Sequence, residues 1–222
     1  MATIGENLQQ VKARLAGVRG VILLAVSKGQ PVESIRAAAV AGQKAFGENY
    51  VQEAIEKMNL LRGNGNELSW HLIGPLQSNK TRVVAERFDW VQTVASEKIA
   101  RRLSEQRPAS LAPLNVLIQV NVSGEPTKSG VAPGGVNSLS KSIKNLKGIR
   151  LRGLMAIPEP GADRARYRSV KALYDSLKAD YEFDTLSLGM SDDMDVAIAE
   201  GSTMVRIGTA IFGARKTHKS AA

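Results

Sequence analysis

The sequence predicts an α/β fold, a single (β/α)8 TIM barrel with one extra helix at its N-terminus, and two observations carry the prediction. Eight short runs rich in apolar and β-branched residues alternate with segments of helical period along the whole chain. The 222 residues show no composition break, linker or internal repeat, so one core serves them all, and eight such units suit a closed barrel better than an open sheet. The expected domain spans residues 1–222, with 214–222 as a disordered tail.

Taken in order, Thr3-Ile4-Gly5-Glu6 has the form of a capping box, and Leu8, Val11, Leu15 and Val18 follow at helical spacing, which gives the extra helix. Val21 to Lys28 is the first strand, an apolar run that stops abruptly at Val26-Ser27-Lys28 with Gly29 and Pro31 as breakers. Pro31 opens a helix through Val40. Lys44-Ala45-Phe46 is the second strand, ending at Gly47-Glu48-Asn49, and Asn49 is placed to cap a helix whose face is Val51, Ala54, Ile55 and Met58. Leu68 to Ile73 is the third strand and stops at Gly74-Pro75. A helix from Asn79 to Arg87 leads into the strand Trp90 to Val94, and Ser96 caps the next helix, to Gln106. Leu114 to Val122 is the fifth strand, followed by a Gly- and Pro-rich loop from Ser123 to Gly130. A helix over 133–146 gives way to the sixth strand, Ile149 to Met155. Tyr167, Val170, Tyr174, Leu177 and Tyr181 then form the stripe of an outer helix, which makes three of the four tyrosines structural. Thr185 to Leu188 is the seventh strand, Ser191 to Ala199 a short helix, and Met204 to Ile207 the eighth strand.

Composition narrows the function. The N-terminal segment has no apolar signal core and no run is long enough to span a bilayer, so a cytoplasmic protein without membrane attachment is expected. The absence of cysteine removes disulfides, thiolate catalysis and cysteine-ligated metals. Thirty basic against 21 acidic residues give +9, but the basic residues are scattered and none of their runs is interleaved with aromatics. Attraction for a phosphorylated small molecule explains this excess more simply than nucleic acid does.

In a barrel, polar residues at strand C-termini share one rim, which here collects Lys28, Asn49, His71, Asn121, Met155, Ser191, Arg206 and the Gly208-Thr209 pair. Lys28 has two explanations. It snorkels to solvent as the strand leaves the core, or it is a partly desolvated amine able to form an imine with a carbonyl compound. Strand seven ends in Gly189-Met190-Ser191 and strand eight in Arg206-Ile207-Gly208-Thr209, the places where barrels commonly bind phosphate. Against this, Ser191 serves equally as a helix cap and Gly208 as a simple turn, and Asp192 and Asp193 must point away from any phosphate. An imine-forming lysine facing a phosphate cradle across a rim is what a pyridoxal phosphate site requires.

The segments AVSK, FGENYVQE, WHLIGPLQSNK, GLMAIP, LSLGMSDDMDVAI and VRIGTAIFG occur in this order. Together they closely resemble the pyridoxal phosphate homeostasis protein family, which shares its barrel with the N-terminal domain of alanine racemase. The resemblance runs from about residue 5 to residue 213. It implies a vitamin B6 protein that holds pyridoxal 5′-phosphate as a Schiff base on Lys28. Ser191, Gly208 and Thr209 match the phosphate ligands, Asn49 and Met155 match residues lining the cofactor, and Arg206 matches the arginine facing the pyridine nitrogen. A guanidinium about 4 Å from that nitrogen disfavours its protonation by on the order of 4 kcal/mol at an effective dielectric of about 20. That is roughly three pKa units, which leaves a poor electron sink.

The implied role is therefore a non-catalytic carrier, buffering the cofactor and passing it to apo-enzymes that depend on it. The alternatives are a weak amino-acid racemase or lyase and, without the family, an aldolase forming an imine with a sugar phosphate. Racemisation needs a second acid/base, which alanine racemase takes from a second domain of the partner subunit; only nine residues follow Gly213, so a monomer without that domain is expected. Tyr50 and His71 are the remaining proton-transfer candidates, and both are better explained as structural.

Overall fold

The computed structural model describes residues 2–18, 20–62, 67–125 and 129–214, so the expected tail, apart from Ala214, and Pro126 to Lys128 of the Gly-rich loop lie outside the described residues. Eight parallel strands run β1 (Ile22–Val26), β2 (Ala45–Glu48), β3 (Ser69–Leu72), β4 (Trp90–Val94), β5 (Leu114–Val120), β6 (Ile149–Ala156), β7 (Thr185–Ser187) and β8 (Met204–Ile207). They pair in sequence order and close when β8 pairs with β1, Leu24 standing opposite Arg206. The expected barrel is thus the observed one, with small boundary shifts. Gly47 and Glu48, expected as the end of a strand, complete β2 because they pair with His71 and Leu72 of β3.

The helices are α1 (Ile4–Leu15), α2 (Val32–Val40), α3 (Val51–Leu61), α4 (Thr81–Arg87), α5 (Glu97–Gln106), α6 (Val136–Ile143), α7 (Arg164–Tyr181), α8 (Met194–Ala199) and α9 (Thr209–Phe212). The capping box forms: the Glu6 N–H donates to Thr3 Oγ1 and the Thr3 N–H to Glu6 Oε2. Val18 lies past the end of α1 and is exposed, so the helical period breaks after Leu15. Two caps differ from expectation. Tyr50, not Asn49, occupies the N-cap of α3, without a side-chain cap bond. Asp193, not Ser191, precedes α8, because its carboxylate accepts the Met190 N–H at 2.5 Å and holds residues 190–193 as a turn instead of a first helical turn. Ser96 caps α5 as expected, accepting the Ile99 N–H.

Most of the core lies between sheet and helices, where outward residues such as Val91, Ile118 and Leu154 meet Ala54, Leu103 and Val170. Inside the barrel Trp90, Leu117 and Met155 form a separate cluster. Beside these and the buried Leu24 and Met204, the interior carries a line of polar groups. Arg206 Nη1 donates to Ser187 Oγ at 2.7 Å, Ser187 Oγ to Gln92 Oε1 at 2.7 Å, and Gln92 Nε2 lies 3.0 Å from His71 Nδ1. A guanidinium can only donate, so Ser187 must accept from it and pass its own proton on. Gln92 is then oriented with its amide toward His71 and toward Met204 Sδ, which leaves the His71 proton on Nε2, 3.3 Å from Ser69 Oγ. His71, expected at the rim, is instead 2% exposed and stacked 5.1 Å from Trp90. It belongs to the barrel interior because β3 ends one residue beyond it and its ring points inward to Gln92.

Burial drives the His71 pKa down to about 3. In the unfolded chain a histidine takes up its proton near pH 6.5, so below that pH the unfolded state binds more protons and stability falls as pH falls toward the folded value. Urea titrations between neutral pH and about pH 4 are expected to show His71→Asn losing less stability than the parent, by up to about 1.4 kcal/mol for each pH unit. Parallel pH dependences would exclude His71 as the source.

Candidate functional site

β1 delivers its end to the rim under tight backbone control. The Ser27 N–H continues the ladder beyond the strand to Gly47 O at 3.0 Å, and the chain then turns through Lys28 and Gly29. Lys28 is half-buried and lines a cleft of about 260 Å³. The same cleft is lined by Asn49 after β2, Ser191 after β7, and Arg206, Gly208 and Thr209 at the end of β8. Six of the seven residues that the resemblance assigns to the cofactor therefore line one cavity. Met155 does not line it, being fully buried beside Trp90 and Leu117. Asn121 lines a neighbouring cleft with Gln119 and Thr93, and the two clefts share Asn49, Ile73 and Ile157.

The floor is cationic. Arg206 is 4% exposed, and besides Ser187 it donates through Nη2 to Ala156 O at 2.9 Å. Burial pulls its pKa down to about 10, with Asp193 opposing, so it keeps its charge at neutral pH. The opposite edge bears hydroxyls: Ser191 is half-buried and Thr209 exposed. Gly208 lets the chain pass close to β1, since a Cβ there would sit 3.2 Å from Val26 O.

The two aspartates that opposed an anion site part company. Asp193 is occupied by the Met190 N–H and by the Tyr167 hydroxyl, which donates to Oδ2 at 2.7 Å. Burial and this carboxylate push the Tyr167 phenol up, so it remains a donor. Asp192 stays at the cleft but is exposed, where water screens its charge. Sequence reasoning placed Tyr167 on a structural stripe and missed that its hydroxyl steadies the Ser191 turn; the spacing of α7 could identify its buried face but not its bond to a residue after β7. Gln30, Ile73, Ile157 and Met190 also line the cleft; the last three lie within the family-like segments, but the resemblance assigns them no role there.

An amine, a buried guanidinium and a hydroxyl-edged glycine turn around one cleft can hold an aldehyde that also carries an anion. No group of three or more metal-ligating side chains occurs among the described residues, and none of the described helices is long and apolar enough to cross a membrane.

Comparisons with known proteins agree on a single family. Residues 1–216 match the model of the alanine racemase N-terminal domain. The pyridoxal phosphate homeostasis protein of Pseudomonas aeruginosa is 54% identical, with 97% of each chain covered. That of Escherichia coli is 50% identical over 99% of this chain and 100% of its own. Among solved structures, PipY of Synechococcus elongatus, described with PLP bound, superposes with a TM-score of 0.87 at 36% identity, covering 95% of this chain and all of that one. Alanine racemase of Corynebacterium glutamicum, at 20% identity and a TM-score of 0.71, shares the fold over 61% of its length.

The Ser191 turn depends on Gly189, whose φ of +97° suits only glycine and where a Cβ would meet Ala197 Cβ at 2.5 Å. Gly189→Ala is expected to lower stability by about 1–3 kcal/mol in urea unfolding. An unchanged midpoint would show that the turn relaxes without cost.

Proposed function

The chain belongs to the pyridoxal phosphate homeostasis protein family, and from that premise we propose that it holds pyridoxal 5′-phosphate in the rim cleft and serves as a cytoplasmic, monomeric carrier, buffering the cofactor and releasing it to apo-enzymes. One observation carries this reading: Lys28, Ser191, Arg206, Gly208 and Thr209 come from opposite ends of the sequence yet line one cleft. Their chemistry fits the cofactor, which supplies a reactive aldehyde on a phosphorylated pyridine. Lys28 is the amine that would hold that aldehyde, and the bound cofactor would supply the carbonyl for a reversible link to it. Ser191 and Thr209 would donate hydroxyl hydrogen bonds to the phosphate where Gly208 lets the backbone approach, Asn49 would line the ring, and Arg206 would face the ring nitrogen. Met155, packed with Trp90 and Leu117 inside the barrel, is left without a contact to the cofactor.

Arg206 favours holding over turnover. It cannot accept a proton from the ring and its charge opposes ring protonation, so the electron withdrawal that carbanion chemistry needs is weak. Neither proton-transfer candidate lines the cleft: His71 is sealed inside and Tyr50 is 65% exposed. The racemase or lyase alternative rests on fold likeness alone.

Purified protein given pyridoxal 5′-phosphate is expected to develop the visible absorbance of a lysine imine and, after borohydride, an adduct on the Lys28 peptide; Lys28→Ala should show neither. A colourless parent protein without the adduct would sink the reading. Deuterium uptake at the α-carbon of any amino acid above the free-cofactor rate would replace the carrier with an enzyme.

A further inference from the structure

Directly beneath the Lys28 turn lies a group of charges that the cleft itself does not use. Lys57, on α3, is 5% exposed and Glu48, at the end of β2, is fully buried. The Lys57 ammonium donates three hydrogen bonds, to Glu48 Oε1 at 2.8 Å, Glu53 Oε1 at 2.6 Å and the Ser27 carbonyl at 2.7 Å. Its donors are thereby used up. Glu48 Oε1 also accepts the Ser27 hydroxyl at 2.6 Å, and Glu53 Oε1 accepts the Gly29 N–H at 2.6 Å.

Ser27 and Gly29 are the neighbours of Lys28 on either side. The carbonyl before Lys28 is held by an ammonium and the N–H after it by a carboxylate, both charge-assisted bonds. Burying such a group is costly, and here the cost is visible: Glu48 Oε2 has no partner among the described residues, and burial raises the Glu48 pKa against the pull of Lys57 and Ser27. A cluster kept only for stability is better replaced by apolar side chains. Among the described residues, the side-chain hydrogen bonds that leave the cluster go to the two residues flanking Lys28.

We propose that Glu48, Glu53 and Lys57 are positioning residues for Lys28, a clamp on the backbone to either side of it that aims its amine at the cofactor's aldehyde. This rests on the reading of Lys28 as the imine lysine. The phosphate end of the cleft, at Ser191, Gly208 and Thr209, is built on β7 and β8 and does not touch the clamp. Loosening the clamp therefore separates two quantities: covalent capture of the aldehyde weakens, while grip on the phosphate and ring persists.

The test titrates pyridoxal 5′-phosphate and its aldehyde-free analogue, 4′-deoxypyridoxine 5′-phosphate, into the parent, Glu53→Ala and Lys57→Met, with borohydride trapping at Lys28 as a second readout. Both variants are expected to bind the aldehyde about tenfold or more weaker, the scale of one charge-assisted hydrogen bond. Trapping at Lys28 should slow in step, and the analogue should bind within about twofold of the parent, a factor worth only ~0.4 kcal/mol. Equal losses for both ligands would make the cluster merely structural, and unchanged aldehyde binding would remove it from the site; either overturns the proposal. Lys57→Met leaves two carboxylates without their cation, so if it does not fold, Glu53→Ala, at a partly exposed side chain, decides alone. A parent that traps nothing on Lys28 overturns the carrier reading itself, whereas a parent that traps normally beside indifferent variants overturns only the clamp.

Discussion

Pairing of the last strand with the first is the constraint on which the site depends. Four consecutive residue pairs, from Ile22 opposite Met204 to Ala25 opposite Ile207, close the barrel. Parallel pairing fixes direction as well as adjacency, so both strands leave the sheet on the same side and their continuations, Lys28 and Gly208-Thr209, emerge together. Neither end means much alone. A lysine past a strand is ordinary, and so is a glycine turn; the ladder between them makes a cleft with an amine on one wall and hydroxyls on the other. Gly208 adds the fine fit, letting the backbone of β8 pass Val26 at a distance where a larger residue would push the walls apart.

Two buried polar systems support that closure from different sides. Inside the barrel, the chain from Arg206 through Ser187 and Gln92 to His71 ties β8, β7, β4 and β3 together. Under the rim, Lys57 and its two carboxylates tie α3 to the turn after β1. Each replaces apolar packing that would fill the same space at lower cost; the first ends on Arg206, which lines the cleft, and the second on Ser27 and Gly29, which flank Lys28. The second lies in the layer between sheet and helices, which is otherwise packed mainly with aliphatic and aromatic side chains.

The barrel was legible because its signal is repeated: eight β-rich runs and their helices recur, and an error in one boundary leaves the count intact. β4 and β8 were read to the residue, since Trp90 to Val94 and Met204 to Ile207 are bounded by sharp changes in pattern. Caps were less secure. Asn49 and Ser191 have the chemistry of helix caps, but tertiary partners used the positions otherwise, drawing Asn49 into the cleft and starting α8 after Asp193. His71 was placed one layer too high, because the sequence shows that a residue lies near a strand end but not how deep the strand sits. The bond from Tyr167 to Asp193 and the bonds from Lys57 to Ser27 and Glu48 join residues with no shared periodicity, so only the folded chain reveals them.

The direction of the interior chain has one more consequence. Protons hop along hydrogen bonds only if every link can reverse, each donor becoming an acceptor in turn. Arg206 has no lone pair to offer and stays charged at neutral pH, so the link to Ser187 cannot turn round. The line of polar groups that looks like a wire through the barrel is therefore an insulator where it meets the rim, at Arg206.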